Sequence, residues 1–121
     1  MNYGSISGMR ILHNPQCSKS RQTLALIEHA GIEPEVVLYL ETPPTVGELE
    51  EILDKLGLEP MELIRRGEEI YKELGLAGQE LSREAAIELM VAHPKLIERP
   101  IVIAGERAVL GRPPENVNEL L

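Results

Sequence analysis

Two short runs with strand character, Met9–His13 and Glu35–Leu40, enclose a stretch of helical periodicity. This strand–helix–strand order constrains the fold more than any other feature of the chain, because two strands joined through a helix pair in parallel within one sheet. Asn14-Pro15 ends the first run. Ser18 is a good N-cap, and Lys19–Ala30 carries Leu24, Ile27 and Ala30 at helical spacing before Gly31 stops it. The second run is rich in apolar and β-branched residues, the pattern of a strand buried on both faces.

The middle of the chain reads as helical. Thr42-Pro43-Pro44 punctuates, and Thr45 with Glu48 forms a capping box ahead of Val46, Leu49, Ile52, Leu53 and Leu56, with Gly57 as the stop. Shorter helices are expected over Pro60–Arg66, Glu69–Leu74 and Ser82–Ala92. Ile101–Ala104 and Arg107–Leu110, joined by Gly105-Glu106, form a hairpin by pattern, and a last short helix follows at Glu115–Leu121. The order places the chain in the α/β class, as a thioredoxin-like β-α-β / β-β-α sheet with an inserted helical subdomain at about residues 45–95. A chain of 121 residues fits one domain, with residues 1–8, polar and rich in Gly and Ser, expected to be flexible.

Composition removes several functions. Phe and Trp are absent and the net charge is −8, so the chain lacks base-stacking platforms and repels a phosphate backbone or an anionic membrane surface. No apolar run is long enough to span a bilayer, and residues 1–5 show neither a basic nor an apolar leader; a cytoplasmic protein is expected. One cysteine permits no internal disulfide, so any thiol chemistry needs an outside thiol. The soft ligands Cys17, His13, His29 and His93 lack the paired spacing of a metal site, and no bound metal or cofactor is expected.

Cys17 lies between a strand end and a helix start, where free backbone N–H groups and the helix dipole favour an anion. An ordinary thiol is only a few per cent ionised at neutral pH, and this placement raises the reactive thiolate fraction. Lys19 and Arg21 add positive charge, and Ser18 and Ser20 offer hydroxyl donors to a thiolate or an incoming oxyanion. His13 reads either as an imidazolium that assists the thiolate or as a surface histidine at a strand end. A tyrosine-phosphatase-type loop would need Arg at position 23, which is Thr23, and a dithiol pair would need Cys at position 20, which is Ser20. A monothiol Cys-x-x-Ser arrangement remains.

The segments His13-Asn14-Pro15-Gln16-Cys17-Ser18-Lys19-Ser20-Arg21, Tyr39-Leu40-Glu41-Thr42-Pro43-Pro44, Tyr71-Lys72-Glu73-Leu74-Gly75-Leu76, Arg99-Pro100-Ile101-Val102 and Gly111-Arg112-Pro113 together resemble the glutaredoxin-coupled, ArsC-type arsenate reductase family. The likeness runs from about Arg10 to Leu121, with Ser18-Lys19 departing from the Gly-Thr of better-known members. It implies that Cys17 attacks arsenate or a similar oxyanion, that glutathione attacks next as co-substrate, and that glutaredoxin removes the glutathione while arsenite leaves; the chain is expected to be a monomer. It further implies that Arg65, Arg99 and Arg112 bind the oxyanion, that His13 stands near the nucleophile, and that Asn14, Ser18, Ser20, Arg21 and Pro100 line the substrate. Pro100 matches the proline that faces the cysteine in thioredoxin folds and is usually cis. Arg66, Arg83 and Arg107 are read as solvated. Two other readings stay open: an Spx-type regulator that binds RNA polymerase, and a monothiol glutathione-dependent oxidoreductase without an oxyanion step.

Overall fold

The computed structural model describes residues 8–121. The expected flexibility of residues 1–8 therefore lies, except for Gly8, outside the described residues. The chain divides into two units, one holding residues 8–42 and 99–121 and the other Pro43–Glu98.

The first unit is a four-stranded mixed sheet. Strand β1 (Met9–Leu12) pairs in parallel with β2 (Glu35–Val37), helix α1 (Ser18–His29) making the crossover. The hairpin of β3 (Ile101–Ala104) and β4 (Arg107–Leu110) then adds to the other side of β1, antiparallel throughout, for the order β2-β1-β3-β4. A 3₁₀ helix, Pro114–Leu120, closes the unit. Met9 and Ile11 of β1, Val102 of β3, Ile27 of α1 and Val117 of the 3₁₀ helix form a dry core, which places both helices on one face of the sheet. This is the expected α/β arrangement.

The second unit is helical: α2 (Val46–Leu56), α3 (Pro60–Leu63), α4 (Glu69–Glu73) and α5 (Arg83–Ala92), followed by a 3₁₀ turn at Pro94–Leu96. The capping box forms as expected, with Thr45 Oγ1 accepting from Glu48 N–H at 3.1 Å and Glu48 Oε1 from Thr45 N–H at 2.8 Å. Gly57 ends α2 at φ 71°, a conformation that costs a glycine nothing. Leu49, Ile52 and Leu53 of α2 and Ala86, Ile87 and Met90 of α5 are buried where these helices pack.

Four expectations need correction. Glu35–Leu40 is not a doubly buried strand: only Glu35–Val37 pairs, and Val36, Leu38 and Leu40 are 43%, 36% and 39% exposed. β2 is an edge strand with one neighbour, so an apolar sequence did not make it central. Helix α1 starts one residue early, because Cys17 rather than Ser18 is its N-cap and the Cys17 carbonyl accepts the first helical hydrogen bond, from Arg21 N–H at 3.0 Å. Helix α3 stops at Leu63 instead of Arg66, since Ile64 turns extended to bridge Ile97. The C-terminal helix is of the tighter 3₁₀ type.

Candidate active site

Strand β1 runs out at Leu12, but His13 N–H still donates to Val37 carbonyl at 2.8 Å, so the chain reaches the next loop along the sheet. Asn14 then sets the shape of that loop. Its side-chain oxygen accepts from Gln16 N–H at 3.0 Å and its carbonyl from Cys17 N–H at 2.9 Å, the local bonding for which Asn suits turns. Arg21 reaches back from α1 to donate to Pro15 carbonyl at 2.7 Å. Arg21 thus braces the loop.

Cys17 emerges from this loop as the N-cap of a helix of 12 residues, nearly buried, with no side-chain cap and no acidic residue in the first turn. The amides of Ser18, Lys19 and Ser20 have no intrahelical acceptor by helix geometry and carry the positive end of the dipole. Ser18 is exposed at the first helical position. Ser20 faces inward and is fully buried, its Oγ 2.6 Å from His13 Nδ1 and accepting from Asn14 N–H at 3.1 Å. Its hydroxyl engages the loop itself, through His13 and Asn14.

His13 is buried rather than at the surface. Burial and then the Arg21 guanidinium push its pKa below the ordinary imidazole value, with Glu28 opposing weakly. Both effects favour the neutral ring over the imidazolium. What it supplies is a fixed partner for Ser20.

The cation next to the thiol comes from the far end of the chain. Arg112 Nη1 lies 3.9 Å from Cys17 Sγ and donates to Arg99 carbonyl at 3.3 Å. Arg99-Pro100 and Arg112-Pro113 are both cis, the second of them not anticipated. Pro100 is buried, and its carbonyl accepts from Gly111 N–H at 2.9 Å, which ties the Arg112 loop to the start of β3. Arg99 is half-buried, and among the described residues its buried Nε has no hydrogen-bond partner. A buried guanidinium N–H without an acceptor is costly unless a ligand takes it.

Arg65 belongs to the helical unit, where it is paired with Glu68 at 3.1 Å and Glu98 at 3.2 Å. Three residues to which the sequence assigns no role in the site hold its backbone: Thr23, Gly111 and Asn116. A glycine directly before Arg112, outside any need for a positive φ, was the one available signal of close packing. Among the described residues no cluster of His, Cys, Asp or Glu could hold a metal ion, and no helix is long and apolar enough to cross a membrane.

The chain is similar to several known proteins. An Escherichia coli K12 protein of uncharacterised role, YfgD, is 54% identical over 93% of this chain and 96% of its own length. An arsenate reductase of Neisseria meningitidis is 47% identical over 93% of this chain and 97% of its own length. The solved structure of an arsenate reductase from Vibrio cholerae superposes with a TM-score of 0.91 at 52% identity, covering 95% of this chain and 98% of that one. The ArsC family model matches residues 12–120, a span that takes in the Cys17 loop, the Arg99-Pro100 step and Arg112 together, and the chain belongs to the ArsC family.

Proposed function

We propose that this protein is an arsenate reductase that uses Cys17 as nucleophile, glutathione as reductant and glutaredoxin as the recycling partner. The carrying observation is the Arg112 guanidinium 3.9 Å from Cys17 Sγ at the start of α1. A thiolate and an approaching arsenate are both anions, and a fixed bidentate cation beside them offsets their repulsion. The relatives named arsenate reductase support the same reading.

In the reaction, Sγ attacks arsenic, an S–As bond forms, and one arsenate oxygen leaves as water after protonation. The glutathione thiolate then attacks Sγ and forms an S–S bond. The S–As electron pair stays on arsenic, which departs as arsenite, reduced by two electrons. Glutaredoxin exchanges the Cys17–glutathione disulfide and restores the thiol. Arg112 and Arg99 hold oxyanion oxygens, the latter through the buried Nε that has no acceptor among the described residues. His13, Asn14, Ser20 and Arg21 keep the loop in shape, Ser18 presents its amide, and Pro100 fixes the Arg112 loop. The chain works as a cytoplasmic monomer, since the compartment keeps glutathione reduced and one chain carries every group named. The helical unit is an insertion in one thioredoxin-like domain, because the chain leaves the sheet unit after Thr42 and returns at Arg99.

The test is arsenite release by the purified protein with glutathione, with and without glutaredoxin. Turnover is expected only with glutathione, faster with glutaredoxin, and absent in Cys17→Ser, whose hydroxyl is un-ionised at neutral pH and forms no mixed disulfide. Arsenite release by that variant would overturn the mechanism. Glutathione exchange without arsenate turnover would point to a monothiol oxidoreductase, and capture of RNA polymerase without turnover to an Spx-type regulator.

A further inference from the structure

We infer that Asn116 is a positioning residue that sets where the Arg112 guanidinium stands relative to Cys17, an assignment that rests on the oxyanion role of Arg112 proposed above. Where β4 passes into the loop before the C-terminal 3₁₀ helix, the three successive carbonyls of Leu110, Gly111 and Arg112 each face a side-chain donor. Asn116 Nδ2 donates to Leu110 carbonyl at 3.1 Å and to Arg112 carbonyl at 3.2 Å. Thr23 Oγ1, which also donates to Lys19 carbonyl at 2.8 Å, reaches Gly111 carbonyl at 3.4 Å. The Gly111 amide donates to Pro100 carbonyl.

Asn116 is the residue in this set whose whole donor capacity goes to the loop. Both acceptors are carbonyls, so only the amide nitrogen can face them, and the flipped rotamer would oppose oxygen to oxygen. Its neighbour Val117 is fully buried in the sheet's core cluster, which fixes the base from which Asn116 reaches. Asn116 thereby spans from beside a fully buried core residue to the carbonyls of Leu110 and Arg112 on either side of Gly111. Arg112 leaves that pinned backbone and ends at Cys17 Sγ and Arg99 carbonyl. A long, rotamer-rich side chain gains a defined end-point from a defined origin, and preorganised charge acts only when it is held in place.

The experiment compares the rates at which Cys17 is alkylated by iodoacetate and by iodoacetamide. Both reagents need the thiolate and the same access, so the ratio of rates cancels ionisation and exposure and reports positive charge fixed at Sγ. A unit charge about 4 Å away, even in bulk water, makes the anionic reagent about fivefold faster relative to the neutral one. Arg112→Ala is expected to lower the ratio by about that factor, and Asn116→Ala to reproduce most of the same drop. In the Arg112→Ala background Asn116→Ala should change nothing further, since the residue acts through that arginine. Asn116→Ser, which keeps one hydroxyl donor, should fall between, and it serves alone if Asn116→Ala fails to fold. An unchanged ratio in a folded Asn116 variant, or an equal further drop in the Arg112→Ala background, overturns the assignment. So does a parental ratio that Arg112→Ala leaves unaltered. None of these readings uses arsenate, so absence of arsenate turnover would refute the proposed function while the ratio still decides Asn116.

Discussion

His13 is the residue at which physical chemistry most changes the reading. Its ring is buried, 2.6 Å from Ser20 Oγ, and its pKa lies below the ordinary imidazole value because burial and Arg21 disfavour the cation. The unfolded chain then binds a proton that the folded chain refuses as pH falls through the ordinary imidazole range. Its contribution to stability is complete above that range and is lost as pH drops toward the folded value. The urea midpoint should accordingly decline from about pH 7.5 to about pH 5.5, and His13→Gln should flatten that decline. A parental midpoint constant across the interval, or an equal slope in the variant, would show that the folded site accepts the proton. The sequence put His13 beside the nucleophile, but its charge was not legible there: ionisation follows from burial and from Arg21, neither of which the residue's position in the strand reveals.

Among the elements, those defined by neighbours a few residues away were legible. Helix α2 was readable because both its signals, the Thr45–Glu48 box and Gly57, act within one turn of its ends. The Cys17 helix start was readable to within one residue for the same reason. β2 was not, since whether an apolar strand is central or at an edge depends on what lies beside it. The loop before Arg112 was also hidden: Thr23 and Gly111 meet across 88 residues. A Cβ built at Gly111 would stand 2.6 Å from Thr23 Oγ1 and 2.8 Å from Pro100 Cγ. Thr23 is fully buried and a proline ring is rigid, so neither gives way readily. Gly111→Ala should cost about 1–3 kcal/mol, as overpacking does, and should lower arsenate turnover by moving Arg112. Gly47 in α2 meets nothing within 4 Å, and Gly47→Ala should stabilise by up to about 1 kcal/mol with turnover unchanged. Urea unfolding of both variants checks the pair, and equal effects would deny that Gly111 is there for close approach.

Over the whole molecule a net charge of −8 opposes the entry of a doubly charged oxyanion, so the attraction must be local and fixed. Arg99 and Arg83 separate a local role from a general one. Arg83 pairs with Asp54 at 3.5 Å and Glu59 at 3.7 Å on the helical unit, and exposed pairs of this kind are worth about 0–1 kcal/mol. Arg99 carries a buried Nε with no acceptor among the described residues, a donor that a bound oxyanion would satisfy. Arg99→Ala loses some packing of its alkyl stem but also removes that orphaned donor, so the two effects oppose and the urea midpoint should move little. Its turnover should fall by about 10²- to 10³-fold, the usual loss for one preorganised charged donor. Arg83→Ala should do the reverse, with parental turnover and at most a small drop in stability. Arsenite release and urea unfolding measured on both variants decide the matter. Parental turnover in Arg99→Ala would show that Arg99 does not meet the oxyanion and leave Arg112 as the cation beside Cys17.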